Sequence, residues 1–194
     1  MSNFPTTYSV GFIGEGKYTS KVNGVITKVY DTWIGMLRRC YSKKLHIKYP
    51  TYKDCIVAEC WHNFQVFGEW FENNYVEGYQ LDKDILFKGN KIYSPNTCCF
   101  VPKEINSLFL TCKSARGEYP VGVSKDKNKF KSSVSLKNKQ VTLGRFDTPE
   151  EAFKAYKKAK EYQIKEVATE YYSTGRITLE VYNAIMNYKI EITD

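Results

Sequence analysis

The chain has 194 residues, 42% hydrophobic and 15% aromatic, enough to build a core for one domain or two small ones. Its 29 Lys and Arg against 21 Asp and Glu leave a net charge of +8. No apolar run approaches the roughly 20 residues that span a bilayer, and "MSNFPTTYSVGFIGEGKYTS" lacks the basic flank and apolar stretch of an export signal, so the expectation is a cytoplasmic protein with no membrane partner.

In chain order, residues 1–28 mix Gly, Ser, Thr and Lys with isolated aromatics, which suits an arm or an edge hairpin. "VYDTWIGMLRRCYSK" follows, with Trp33, Met36, Leu37 and Cys40 at spacings of three and four. That is the period of an amphipathic helix, with Asp31 or Thr32 as its cap. "HIKYPTYKDC" reads as a loop because Pro50 breaks a helix. "IVAECWHNFQVFGEWFENNY" reads as a second helix, its stripe of Trp61, Phe64, Phe67, Trp70 and Phe71 facing a core. Then comes a strand at "YQLDKDIL", a turn at "FKGNK", a strand at "TCCFV", and a helix entered at Pro102.

The C-terminal third is the plainest. "YPVGVSK", "KFKSSVSL" and "QVTLGRF" are three short strands with "DKNK" and "KNK" between them. "DTPEEAFKAYKKAKEYQIKEVATEYY" is a long helix, capped by Asp147 or Thr148, with Pro149 in its first turn and Glu150 and Glu151 at the positive end of its dipole. "ITLEVYNAIMNYKIEI" closes the chain as a helical tail. The fold class is therefore α+β: a helical unit with a ββα hairpin-helix, then a three-stranded antiparallel sheet on one long helix.

Between Arg116 and Phe146 lie eight basic residues and two acids, a local excess of +6. The basic residues are Arg116, Lys125, Lys127, Lys129, Lys131, Lys137, Lys139 and Arg145. A basic stripe confined to one segment is the footprint of a polyanion site. Strand alternation turns Phe130, Ser132 and Val134 to one face, and Lys129, Lys131, Ser133 and Ser135 to the other. In the third strand Val141, Leu143 and Arg145 alternate with Thr142, Gly144 and Phe146. A ribbon of this width suits the roughly 12 Å major groove of double-stranded DNA.

Six cysteines are present, at 40, 55, 60, 98, 99 and 112, with no CxxC pair. Without an export signal they are expected as reduced, buried thiols. A zinc site built from Cys40, Cys60 and Cys98 is the reading the spacing favours less, and a disulfide less still.

Two stretches carry a resemblance. "LGRFDTPEEAFKAYKKA", with Gly122-Val123 and Phe130 before it, resembles the ethylene-response-factor (Apetala-type) DNA-binding domain over about 50 residues. That family folds as three strands on one helix and reads DNA with its sheet. Most of its base-reading arginines and tryptophans are lysine, serine or phenylalanine here. "LDKDILFKGNKIYSPNTCCFVPKEIN" resembles the HNH endonuclease motif of small phage and intron-associated homing proteins. The upstream tryptophan-rich patterns resemble those proteins too.

Four parts are expected: an arm or edge hairpin at 1–28 and a helical tail at 171–194 from the residue pattern, and, as the resemblance implies, an HNH-like unit at 29–112 and an Apetala-type domain at 116–170. The resemblance implies the cytoplasm of a phage-infected host cell as the setting. It places Asp82 at the metal-binding aspartate, Lys83 where the family has its catalytic histidine, Asn96 at the central asparagine and Asn106 at the last ligand position. Asp82 and Asp84 are hard oxygen donors suited to Mg²⁺. A lysine of ordinary pKa about 10.4 is protonated at neutral pH and cannot act as base. The remaining candidates for that role are His46 and His62. The favoured reading is a DNA-binding protein with a degenerate HNH-like unit. Its alternatives are an active Mg²⁺-dependent homing or nicking endonuclease, and a phage effector that binds a host protein.

Overall fold

The computed structural model describes residues 7–109, 118–136 and 139–193. Arg116, Cys112 and Lys137 lie outside them. The chain divides into two compact units, Met1–Val101 and Pro102–Asp194. No helix among the described residues is long and apolar enough to cross a membrane.

The first unit begins with a strap. Residues 7–20 run along the core, and the buried amide of Gln65 ties them down. It accepts from the Tyr18 N–H at 2.9 Å and donates to the carbonyls of Ile13 and Tyr18 at 3.1 and 3.0 Å. A small hairpin follows, β1 (Lys21–Val22) and β2 (Val25–Ile26). Helix α1 (Lys28–Tyr41) buries Trp33, Met36, Leu37 and Cys40, as the spacing predicts. It starts earlier than the expected caps. Thr27 is its N-cap because its hydroxyl accepts from the Tyr30 N–H.

The expected loop after it contains the short helix α2 (Lys43–Lys48), capped by Ser42, and one 3₁₀ turn at Pro50–Tyr52. The expected long second helix is shorter. Ile56 and Val57 form strand β3 (Ile56–Val57), and a 3₁₀ turn spans Glu59–His62. Helix α3 (Phe64–Asn74) begins only after Asn63, whose side chain accepts from the Gln65 N–H at 2.9 Å. Two β-branched residues and a side chain that offers the backbone an alternative bond stop the helix from starting sooner.

Strands β4 (Gln80–Asp82), β5 (Ile92–Tyr93) and β6 (Cys99–Val101) complete the unit. β4 and β6 pair antiparallel, with Asp82 opposite Cys99. β5 instead pairs with β3, in parallel. The core gathers Trp33, Trp61, Phe64, Phe67 and Phe71 with Cys40, Cys55, Cys98 and Tyr93.

The second unit begins with helix α4 (Lys103–Leu108). A three-stranded antiparallel sheet follows in the order β7 (Val123–Asp126), β8 (Lys129–Leu136), β9 (Lys139–Phe146). Helix α5 (Pro149–Ser173) packs across it. Thr148 and Glu151 close a capping box at its start. Ala152, Phe153, Tyr156, Ile164, Ala168 and Tyr171 are its buried residues. Tyr156 lies so close to Gly122 that a Cβ there would come within 2.0 Å of its ring, and Gly122 is also left-handed at φ +77°. Only glycine meets both demands. Helix α6 (Leu179–Asn187) folds back against α5.

Candidate nucleic-acid interface

Directly opposed residues in an antiparallel pair share a face of the sheet. Across β7–β8–β9, Ser124, Lys131 and Arg145 therefore form one row on the side away from α5. Asp126 and Lys129 form a second row, and Ser133 with Thr142 and Ser135 with Gln140 a third and fourth. The inner face carries Val123, Ser132 and Gly144, then Val134 with Val141, with Ser132 and Val134 buried.

Alternation predicts β8 correctly and β9 in part. The register slips between Ser132 and Ser133, so that Ser132 opposes Gly144 but Ser133 opposes Thr142. Leu143 is the extra residue of this bulge. Val141 and Arg145, expected on one face, consequently lie on opposite faces.

The basic candidates are not equivalent in place. Lys131 and Arg145 stand side by side on the outer face. Arg145 donates from Nε to Asp126 Oδ2 at 2.6 Å, and Lys129 Nζ lies 3.0 Å from Asp147 Oδ1. Gln140 donates to the Ser133 hydroxyl at 2.9 Å. Lys125, opposite Phe130, sits on the inner face with its ammonium 4.3 Å from that ring's centre. Lys139 is exposed opposite Leu136, on the inner side of the sheet's end. Lys127 is exposed in the β7–β8 turn at φ +56°. The face also holds Ser124, Asp126, Gln140 and Thr142, which the sequence reading did not single out. The alternation of β7 held the signal for the first two. The bulge hid the last two.

The β4–β6 loop has a different construction. Lys83 is 5% exposed. Its ammonium donates to both oxygens of Asp84 at 2.6 and 2.7 Å and to the Asn90 carbonyl at 2.7 Å. It also lies 5.8 Å from the centre of the Tyr93 ring. Asp82 Oδ1 accepts from the backbone N–H groups of Asp84 and Ile85 at 2.6 and 2.7 Å. Burial holds the Asp82 carboxyl above its ordinary range, against the pull of those two N–H groups.

The side chain that ties this loop together is Asn90. Its amide donates to the carbonyls of Lys83 and Ile92 at 2.8 and 2.7 Å and accepts from the Ile92 N–H at 3.1 Å. Asn96 is exposed on the turn that precedes Cys98, and Asn106 lies on α4 in the other unit. "Gly-Asn" in a turn was the available sign for Asn90.

The two histidines stand apart from Lys83 in the pattern of bonds. His46 Nε2 pairs with the Arg39 carbonyl at 2.9 Å. His62 Nε2 lies 3.5 Å from the Tyr41 hydroxyl, and its ring helps line a groove with Val10, Phe12, Glu59, Cys60 and Asn63. Among the cysteines, Cys40 and Cys98 share the core with Cys55, while Cys60 is exposed. Burial pushes the thiols of Cys40 and Cys98 up to about 12 and that of Cys55 up as well. Among the described residues no three His, Cys, Asp or Glu side chains form a group that could hold a metal.

Comparison with known proteins adds no relative: no family model, curated protein or solved structure matches the chain.

Proposed function

We propose that this protein binds duplex DNA through the outer face of β7–β8–β9, and that its β4–β6 loop holds structure and does not cut. The observation that carries the reading is the outer row Ser124–Lys131–Arg145, with Lys129, Ser133, Ser135, Gln140 and Thr142 around it. Cations neutralise phosphates, while hydroxyls and amides meet phosphate oxygens and base edges. Asp126 bonds Arg145 through Nε, which steadies the guanidinium and leaves its outer nitrogens for a ligand.

The loop supports the second half of the proposal. A metal-assisted hydrolytic site needs an unprotonated base and free oxygens for a divalent ion. Here the residue at the base position is a buried ammonium held by three acceptors. Asp84 is already neutralised by it, and Asp82 Oδ1 is closed on two backbone N–H groups. This donor set suits an internal ion pair better than the octahedral oxygen shell of Mg²⁺, so no catalytic step is assigned to it.

Binding and nicking measured on one plasmid substrate test both halves. The expected outcome is salt-sensitive binding to duplex DNA with no nicking in Mg²⁺ or Mn²⁺. Nicking by the parent that Asp82→Ala abolishes would restore the nuclease reading. Absence of duplex binding at about 150 mM salt would remove the DNA reading.

A further inference from the structure

The β1–β2 hairpin is one of the parts of the first unit that its core leaves uncovered. Its pairing sets Lys21 opposite Ile26 and Val22 opposite Val25. Asn23 and Gly24 form the turn between them, both left-handed at φ +49° and +80°. This is the I′ geometry, whose twist matches that of the strands it joins. The base of the hairpin is fastened. The Thr27 N–H donates to the Ser20 carbonyl at 3.0 Å, and its hydroxyl donates to the Thr19 carbonyl at 2.7 Å. That same hydroxyl caps α1. The hairpin is thus preorganised and continuous with the start of a core helix.

Every residue from 21 to 26 is exposed. Val22, Val25 and Ile26 are 56%, 70% and 54% exposed. Val22 and Val25 share one face of the ribbon, and Ile26 takes the other. From Gly16 to Tyr30 the only charges are Lys17, Lys21 and Lys28, with no acid. Lys17 is committed to Glu72 at 2.6 Å, whereas Lys21 and Lys28 sit exposed at the hairpin and its base.

An apolar tip with basic shoulders matches a polyanion whose interior is apolar, which is stacked bases behind phosphates. A protein partner or a second copy fits less well, because a specific protein interface buries upward of about 1,000 Å² and a six-residue ribbon presents far less. We propose that the hairpin is a wedge for duplex DNA. Val22 and Val25 press against or between base pairs, Lys21 and Lys28 meet the flanking phosphates, and the duplex bends around the tip. The inference rests on the duplex-DNA reading above and adds to it a second contact and a deformation of the ligand.

The combined variant Val22→Thr, Val25→Thr, Ile26→Thr keeps β-branching at every position, and with it the ribbon. Only apolar surface is lost. The probe is a duplex of about 30 base pairs, short beside the persistence length of DNA, with a fluorophore at each end. The parent should raise energy transfer between the ends. The threonine variant should lose that rise and bind about tenfold more weakly, with an unchanged salt slope because no charge is altered. Lys21→Ala, which leaves the tip intact, should lower the salt slope by about one.

A threonine variant that bends and binds the duplex like the parent overturns the wedge and leaves the sheet reading in place. If Lys129→Ala, Lys131→Ala, Arg145→Ala together bind like the parent while the threonine variant does not, the sheet reading falls and the wedge stands. Sedimentation of the parent without DNA covers the remaining occupant: a dimer that the threonine variant abolishes overturns the wedge in favour of a second copy.

Discussion

Lys83 and Lys131 both lie in polar stretches next to or within a strand, Lys83 between Asp82 and Asp84 and Lys131 before Ser132 and Ser133, and the fold treats them in opposite ways. Lys83 is 5% exposed, with its ammonium consumed by Asp84 and the Asn90 carbonyl. Lys131 stands on an open sheet face between Ser124 and Arg145. The first charge is spent inside the protein, because a buried ammonium must be paired to be tolerated at all. The second remains at the surface, where a phosphate can reach it. Counting charge along a chain does not tell these cases apart. The same holds within the basic segment, where Lys125 caps an aromatic ring and Lys129 and Arg145 already lean on aspartates.

The largest effect that would break this contrast is on stability. Lys83→Ala leaves the Asn90 carbonyl and Asp84 without their cation and opens space beside Tyr93. It should cost about 2–3 kcal/mol in denaturant unfolding, with Lys83→Met costing less because it fills the same volume. If Lys83→Ala is as stable as the parent and loses only DNA binding, Lys83 belongs with Lys131 and the contrast collapses.

The next effect is on affinity. Lys129→Ala, Lys131→Ala and Arg145→Ala together should weaken duplex binding about 30-fold at about 150 mM salt and lower the salt slope by about two to three, while unfolding stays within about 1 kcal/mol of the parent. Lys125→Ala, from the inner face, should leave the slope nearly unchanged. A slope lowered as much by Lys125→Ala as by Lys131→Ala would show that the two faces are not electrostatically distinct.

Smaller still is the effect of pH through Asp82. Its carboxyl is held above the ordinary value of 3.8 by burial, so ionising it costs more in the folded chain than in the unfolded one. Stability from the protonated form is present below 3.8 and fades as pH rises above it. Asp82→Asn keeps an oxygen for the Asp84 and Ile85 N–H groups and removes the titration. Its stability relative to the parent should therefore improve from about pH 4 upward, by less than about 1 kcal/mol. An improvement confined to acid pH would reverse the sign and place the carboxylate in a stabilising pair.

The smallest effect sharpens the sheet alone. Asp126→Asn should change affinity less than about threefold, since it removes one acid from the face while loosening Arg145. A large gain would show that Asp126 restrains binding more than it positions Arg145.

Much of this was legible in the chain, for reasons particular to each element. The period of Trp33, Met36, Leu37 and Cys40, the cap at Thr148 with Pro149 after it, and the alternation of Phe130, Ser132 and Val134 are local codes. They work because neighbours three, four or two residues apart share a face whatever lies beyond. The α+β class and the sheet on one long helix followed from them. The same codes misplaced the start of α3, where Ile56 and Val57 pair with Ile92 and Tyr93 from far along the chain. They also misplaced Val141, which a one-residue bulge carries to the other face.

By itself the sequence determined which residues are apolar, where helices can be capped, and how much positive charge the protein must put somewhere. Only the tertiary structure decided where that charge is free. It brought Cys55 and not Cys60 to the core with Cys40 and Cys98, folded Lys83 inward onto Asp84 and Asn90, and left Lys131 and the tip of the β1–β2 hairpin in the open. The physical reason is that burial and ion pairing depend on residues brought together in space. The partners of Lys83, Asp84 and Asn90, lie close in sequence, but its burial, like the gathering of Cys55 with Cys40 and Cys98, is set by strand pairing and core packing over tens of residues, a range at which no periodicity in the chain carries information.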